Sequence, residues 1–277
     1  NKGRRMEITV FAGKYGEAPA LKKEHALGLF ISTAEHNCMF DFGDKTAAGN
    51  LAALEIAPET ADAAILSHGH LGAGGGLLAL RPRLVGAKLY ARESAFEAHY
   101  FKKSRWNYKT VSVPKKVSRE GVLFTKSFLK IDDELALLSN FKPDKRAATD
   151  TRYFADGDKY FVPDTFAHEQ ALLVTEGGAS VLFVGGAHAG LRQMVERAEK
   201  TFSRPVSAVV GALELTDKKG KPLFSREWVR NFAFELGKFT KADFYFACGV
   251  GDAVFGVLQG ELGGRVRRLN VGETKIL

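Results

Sequence analysis

Leu66-Ser67-His68-Gly69-His70-Leu71-Gly72-Ala73-Gly74-Gly75-Gly76 is the stretch from which the rest of this chain can be placed. It follows the apolar run Ala63-Ala64-Ile65-Leu66, which reads as a buried strand, and precedes Leu77-Leu78-Ala79-Leu80, which reads as the start of a helix. Two histidines at i and i+2 thus stand in a glycine-rich turn at the carboxyl end of a core strand, where open α/β sheets keep their ligands. Such a pair can aim both imidazoles at one point, and neutral imidazole is a common ligand for zinc and iron. A polar histidine that caps the strand end and binds nothing fits the same spacing.

The same device recurs in the second half. Ser180-Val181-Leu182-Phe183-Val184 reads as a strand that ends in Gly185-Gly186-Ala187-His188-Ala189-Gly190, ahead of a helix from Leu191 to Lys200. Cys38-Met39-Phe40-Asp41-Phe42-Gly43 reads as a strand that delivers the Asp41 carboxylate to the histidine edge, where it either supports a ligand histidine or caps the next helix near Lys45 to Leu54. His25 reads as a core histidine or a partner of the site. Strands alternate with helices to a final edge strand from Arg265 to Leu269, so the expected architecture is α/β: one four-layered αββα sandwich spanning 1–277.

Composition narrows the function classes. With 277 residues, 45% of them hydrophobic, the chain can bury a substantial core. No apolar run approaches the roughly 20 residues of a membrane helix. Asn1-Lys2-Gly3-Arg4-Arg5 leads into strand-like Met6-Glu7-Ile8-Thr9-Val10 rather than a signal-peptide core, and Met6 reads as a natural start. Two cysteines, Cys38 and Cys248, build no disulfide framework, which points to a reducing cytoplasm. The formal charge is +8, and residues 101–150 hold 12 Lys/Arg against 6 Asp/Glu. This basic insertion, around 99–150, reads as a solvated face or as an electropositive wall that draws in a small phosphate-bearing substrate. Nucleic acid is disfavoured, because no binding module accompanies the charge.

Ser67-His68-Gly69-His70 followed by a glycine-rich helix start resembles the signature loop of the metallo-β-lactamase fold, whose usual form is His-x-His-x-Asp-His. Further segments are similar to one branch, the 7,8-dihydropterin-6-methyl-4-(β-D-ribofuranosyl)-aminobenzene-5′-phosphate synthases. They are Glu24-His25, Phe40-Asp41-Phe42-Gly43, Glu169-Gln170-Ala171-Leu172 and Gly185 to Gly190. The resemblance implies that His68, His70 and His188 form the first metal site and that Asp41 supports their loop. It also marks departures. Gly72 and Ala73 stand where the second site has Asp and His, Cys248 falls at the last histidine position, and Glu214 replaces another histidine. Glu214 or Cys248 could add a fourth ligand. The expectation is a metallo-hydrolase with at most one ion, zinc with iron or manganese as alternatives, that acts on a small phosphorylated or cyclic metabolite. The alternative is a metal-free relative that keeps the fold as a binding or regulatory protein.

Overall fold

Strands covered on both faces are built from continuous apolar runs, and two such runs alternate their side chains between different cores. Ala63 and Ile65 belong to one buried cluster while Ala64 and Leu66 belong to another; Val181 and Phe183 likewise part from Leu182 and Val184. The computed structural model, which describes residues 5–142 and 152–277, shows what lies on each side.

The chain runs through β1 (Glu7–Ala12), β2 (Gly28–Ser32), β3 (Asn37–Phe40), α1 (Ala47–Ala53), β4 (Ala63–Ile65), α2 (Leu71–Gly74), α3 (Leu77–Leu80) and β5 (Lys88–Arg92). Next come β6 (His99–Ser104), β7 (Asn107–Thr110), β8 (Leu123–Thr125), β9 (Leu129–Lys130), β10 (Leu135–Ser139), β11 (Tyr153–Asp156) and β12 (Phe161–Pro163). The second half has β13 (Gln170–Glu176), β14 (Ala179–Val184), α4 (Leu191–Phe202), β15 (Ala208–Ala212), α5 (Arg226–Phe239) and β16 (Asp243–Cys248). It ends with α6 (Asp252–Leu262), β17 (Val266–Arg268) and β18 (Thr274–Ile276).

Two seven-stranded sheets have the orders β18-β1-β2-β3-β4-β5-β8 and β17-β16-β15-β14-β13-β10-β9. Each is antiparallel on one side and parallel on the other, with the switch after β3 in the first sheet and after β14 in the second. Leu29, Phe40 and Ile65 of the first sheet pack with Leu172, Phe183 and Val210 of the second in one central core. α1 to α3 cover the outer face of the first sheet, and α4 to α6 that of the second. That is the expected αββα sandwich, and no helix among the described residues is long and apolar enough to cross a membrane.

Two expectations change. The strand at 266–268 is an edge strand, but the chain goes on to β18, which pairs with β1 and caps the other sheet. β6 and β7 of the basic insertion join β11 and β12, which follow it, in a separate four-stranded antiparallel sheet, whereas β8, β9 and β10 extend the main sheets. Residues 143–150 of that insertion, like the first four residues of the chain, lie outside the described residues.

Phe183 is fully buried between the sheets, its ring 5.9 Å from that of Phe40. Phe183→Ala is expected to cost about 3–5 kcal/mol, read as a lower urea midpoint with an unchanged slope.

Candidate metal centre

The ends of β4 and β14 face each other across the central core, and their turns bring His68, His70 and His188 together. One ligand atom from each lies within 4.8 Å of the others. The three rings meet edge to face, with centroids 4.7, 4.8 and 4.9 Å apart and interplanar angles of 84°, 79° and 61°. All three are buried, and Nε2 of both His70 and His188 has no hydrogen-bond partner. Buried polar atoms left unpaired are rare, and several aimed into one space mark a place for an absent partner. Burial, reinforced by the neighbouring imidazoles, holds the pKa of His68 well below the usual histidine range. Burial does the same for His70 against its contact with Asp164. Neutral imidazoles are what a metal ion requires.

Asp41, at φ 57°, accepts the Ser67 amide on one carboxylate oxygen and the Ser67 hydroxyl on the other, each at 2.7 Å. Having donated its proton to Asp41, the hydroxyl is left to accept from Nδ1 of His68 at 2.7 Å. That fixes the tautomer and leaves Nε2 of His68 as the free ligand atom. Asp41 therefore caps no helix; the Glu24 carboxylate instead receives the amides of Asp44, Lys45 and Thr46 ahead of α1. Complete burial pushes the Asp41 pKa to about 7 despite the Ser67 hydrogen bonds. Gly185 is required by this arrangement, because a Cβ there would lie 1.7 Å from the Ser67 hydroxyl.

The second loop is held by Glu169, whose two carboxylate oxygens accept the amides of His188 and Ala189 at 3.0 and 2.7 Å. These bonds steady a turn in which Ala187 has φ 53°. Next to it, Gln170 donates its amide to Ser67 O at 2.7 Å and its side-chain nitrogen to Leu66 O at 2.9 Å. One dipeptide therefore grips both loops.

A third group of residues was not foreseen from the sequence. Oδ2 of Asp164 lies 3.0 Å from Nδ1 of His99, 3.1 Å from Nε2 of His168 and 4.0 Å from Nε2 of His70. Nδ1 of His168 accepts the Gly69 amide at 3.0 Å, so its Nε2 carries the proton donated to Asp164. Burial alone would raise the Asp164 pKa, but the hydrogen bonds with His168 and His99 and the nearby His70 hold it well below the carboxylate range. His99 opens β6 and Asp164 follows β12, so the small sheet of the insertion carries this group to the trio. Tyr153 of β11 also stacks on His70, with centroids 4.4 Å apart at 14°. The spacing of Asp164 and His168, i and i+4 just before a strand, was the available signal; nothing local marked His99.

Glu214 and Cys248 do not join the trio's group; they gather around His25. Nε2 of His25 lies 3.3 Å from Oε2 of Glu214, and Nδ1 lies 3.6 Å from Sγ of Cys248. Burial alone would lower the His25 pKa, but the Glu214 carboxylate and Cys248 raise it to about 11. His25 is thus neither a core residue nor a neighbour of the trio's ligand atoms.

No protein-family model matches the chain, and no curated protein is a significant match. Solved structures do match. Tm1679, a metal-dependent hydrolase of the β-lactamase superfamily, aligns over 98% of both chains with a TM-score of 0.81 and 19% identity. The chain has the metallo-β-lactamase fold. Zinc-bound PqqB from Methylobacterium extorquens aligns over 98% of this chain and 100% of its own, with a TM-score of 0.55 and 11% identity. A diphosphatase of the PhnP family covers 98% and 97%, with a TM-score of 0.50 and 11% identity. Identities this low establish the metallo-β-lactamase architecture and leave chemistry to the residues.

Burial, partly offset by Asp164, lowers the His168 pKa to about 4. The unfolded chain binds this proton near pH 6.5 and the folded chain only near 4, so stability falls as pH drops through that window, by up to about 3 kcal/mol. His168→Gln is expected to flatten this part of the stability profile, measured by urea unfolding at stepped pH.

Proposed function

We propose that the chain is a metal-dependent hydrolase holding one transition-metal ion on His68, His70 and His188, zinc first with iron or manganese as alternatives. The observation that carries this reading is the convergence of three buried imidazoles with two unpaired Nε2 atoms among them. Three imidazoles with one position open are the donor set of a catalytic zinc site. Such an ion would supply Lewis acidity and a water activated near neutral pH.

The chain's own residues have separable tasks in this reading. Asp41 acts through Ser67 to present Nε2 of His68, and Asp164 faces Nε2 of His70. Glu169 fixes the His188 turn. Two buried carboxylates, Asp41 and Glu169, offset the charge of the ion. Tyr153 stacked on His70, and Phe166 stacked on His188 with centroids 4.8 Å apart, exclude water from one side.

One ion rather than two follows from Gly72 and Ala73, which offer no donor, and from His25, which already engages Glu214 and Cys248. The substrate class rests on charge. Burial and Glu24 raise the pKa of Asp44 against the fields of Lys45, Lys218 and Lys109, and Lys218 also acts on Glu214 of the His25 group, so lysines from three parts of the chain act on that edge of the molecule. A small phosphate ester suits that field, as does the resemblance to the dihydropterin synthase-like branch. Buried free thiols at Cys38 and Cys248 suit a cytoplasmic setting.

Elemental analysis of the purified chain, followed by titration with zinc and by assay on bis(p-nitrophenyl) phosphate, tests the proposal. About one ion per chain is expected, with chelator abolishing hydrolysis. His188→Ala should weaken binding about 100-fold or more, while Asp41→Asn, which disturbs only the support, should cost about 10–100-fold. A chain that takes up no ion would overturn the hydrolase reading and leave a metal-free binding protein.

A further inference from the structure

The carboxyl ends of β15 and β16 carry reactive side chains that the histidine trio does not use. His25 touches Glu214 and Cys248 through opposite ring nitrogens, Nε2 to the carboxylate at 3.3 Å and Nδ1 to the thiol at 3.6 Å. One atom from each of the three lies within 4.8 Å of the others, as in an ion site, but the imidazole also lies between acid and thiol, which is the order of a nucleophile, its base and the group that orients the base.

Backbone contacts hold the three in register. Leu213 donates its amide to Cys248 O at 3.2 Å, and Glu214 donates to Gly186 O at 3.1 Å, tying the group to the turn that carries His188. The amide of Val250 donates to the Tyr15 hydroxyl at 2.7 Å, which pins the chain just after the thiol. The side chains of His25 and Glu214 are 14% and 18% exposed whereas Cys248 is 1% exposed, so the group opens to solvent on its imidazole side. The other cysteine, Cys38, is buried in the same core between the sheets but has no imidazole hydrogen-bonded to it among the described residues.

We propose that Cys248, His25 and Glu214 form a thiol–imidazole–carboxylate relay, a second reactive centre beside the trio that takes small acyl donors. At rest Nδ1 of His25 already holds the Cys248 proton, and its Nε2–H donates to Glu214. The sulfur then forms a bond to the carbonyl carbon, and the leaving group departs with its bonding electrons and recovers the proton from Nδ1. No ion enters this scheme, so it stands or falls separately from the hydrolase reading.

Alkylation by iodoacetamide, followed by peptide mass spectrometry with Cys38 as internal reference, tests it on the chain as purified and after chelation. Sulfur gains the carbon, iodide leaves, and the proton stays on His25. Cys248 is expected to react faster than Cys38 in both preparations. His25→Gln and Glu214→Gln, each checked for native near-UV dichroism, should slow Cys248 by about tenfold or more. Equal rates at the two cysteines, or a Cys248 rate indifferent to both substitutions, would overturn the relay. So would zinc protection of Cys248 in His68→Ala, which would make the group an ion site instead.

Discussion

Two ligand loops from opposite sheets must be held at one distance although no covalent link joins them, and Glu169-Gln170 at the start of β13 is where that is done. Glu169 takes the amides of the His188 turn, and Gln170 gives hydrogen bonds from its amide and its side-chain nitrogen to the loop that follows β4. The side-chain carbonyl of Gln170 is itself satisfied by the Thr125 hydroxyl at 2.6 Å. In a buried setting each of these bonds resists loss strongly, because an orphaned partner could not turn to water. The apolar contacts between the sheets stabilise the sandwich without direction; the dipeptide sets its register at the site.

Histidine is used mostly for this one region. Of the seven in the chain, five gather there, while His25 sits with Glu214 and Cys248 and His36 lies between Asp62 and Asp132. Packing several imidazoles together in a buried place holds His68, His70 and His168 uncharged, since burial disfavours the charge and each added proton would repel the next. The carboxylates are placed unequally. Asp164 is surrounded by ring nitrogens and stays ionised, while Asp41 meets only a serine and is held near the border between its two forms. The loops are therefore shaped by a surplus of donors on one side and a deficit on the other.

Much of the fold was legible because its core strands announce themselves. Ala63 to Leu66 and Ser180 to Val184 are short, apolar and followed by glycine-rich turns, and each carries its histidines to the expected sheet end. The trio was legible for the same reason. His99, Asp164 and His168 were not, since they depend on the pairing of β6 with β11 and β11 with β12, a long-range match with no local pattern. Cys248 and Glu214 were located by the sequence on the right strand ends, yet their company was not: only the folded chain shows that the segment before β2 inserts His25 between them.

The small sheet has a consequence for how this molecule can change. It supplies Tyr153, His99 and the segment leading to Asp164, all against one flank of His70, yet its strands pair with neither large sheet. Drift in its hairpins can therefore remodel the cavity wall while the scaffold beneath keeps its stability. Descendants of one ancestral sandwich could in this way reshape the surroundings of the histidines by editing a removable panel.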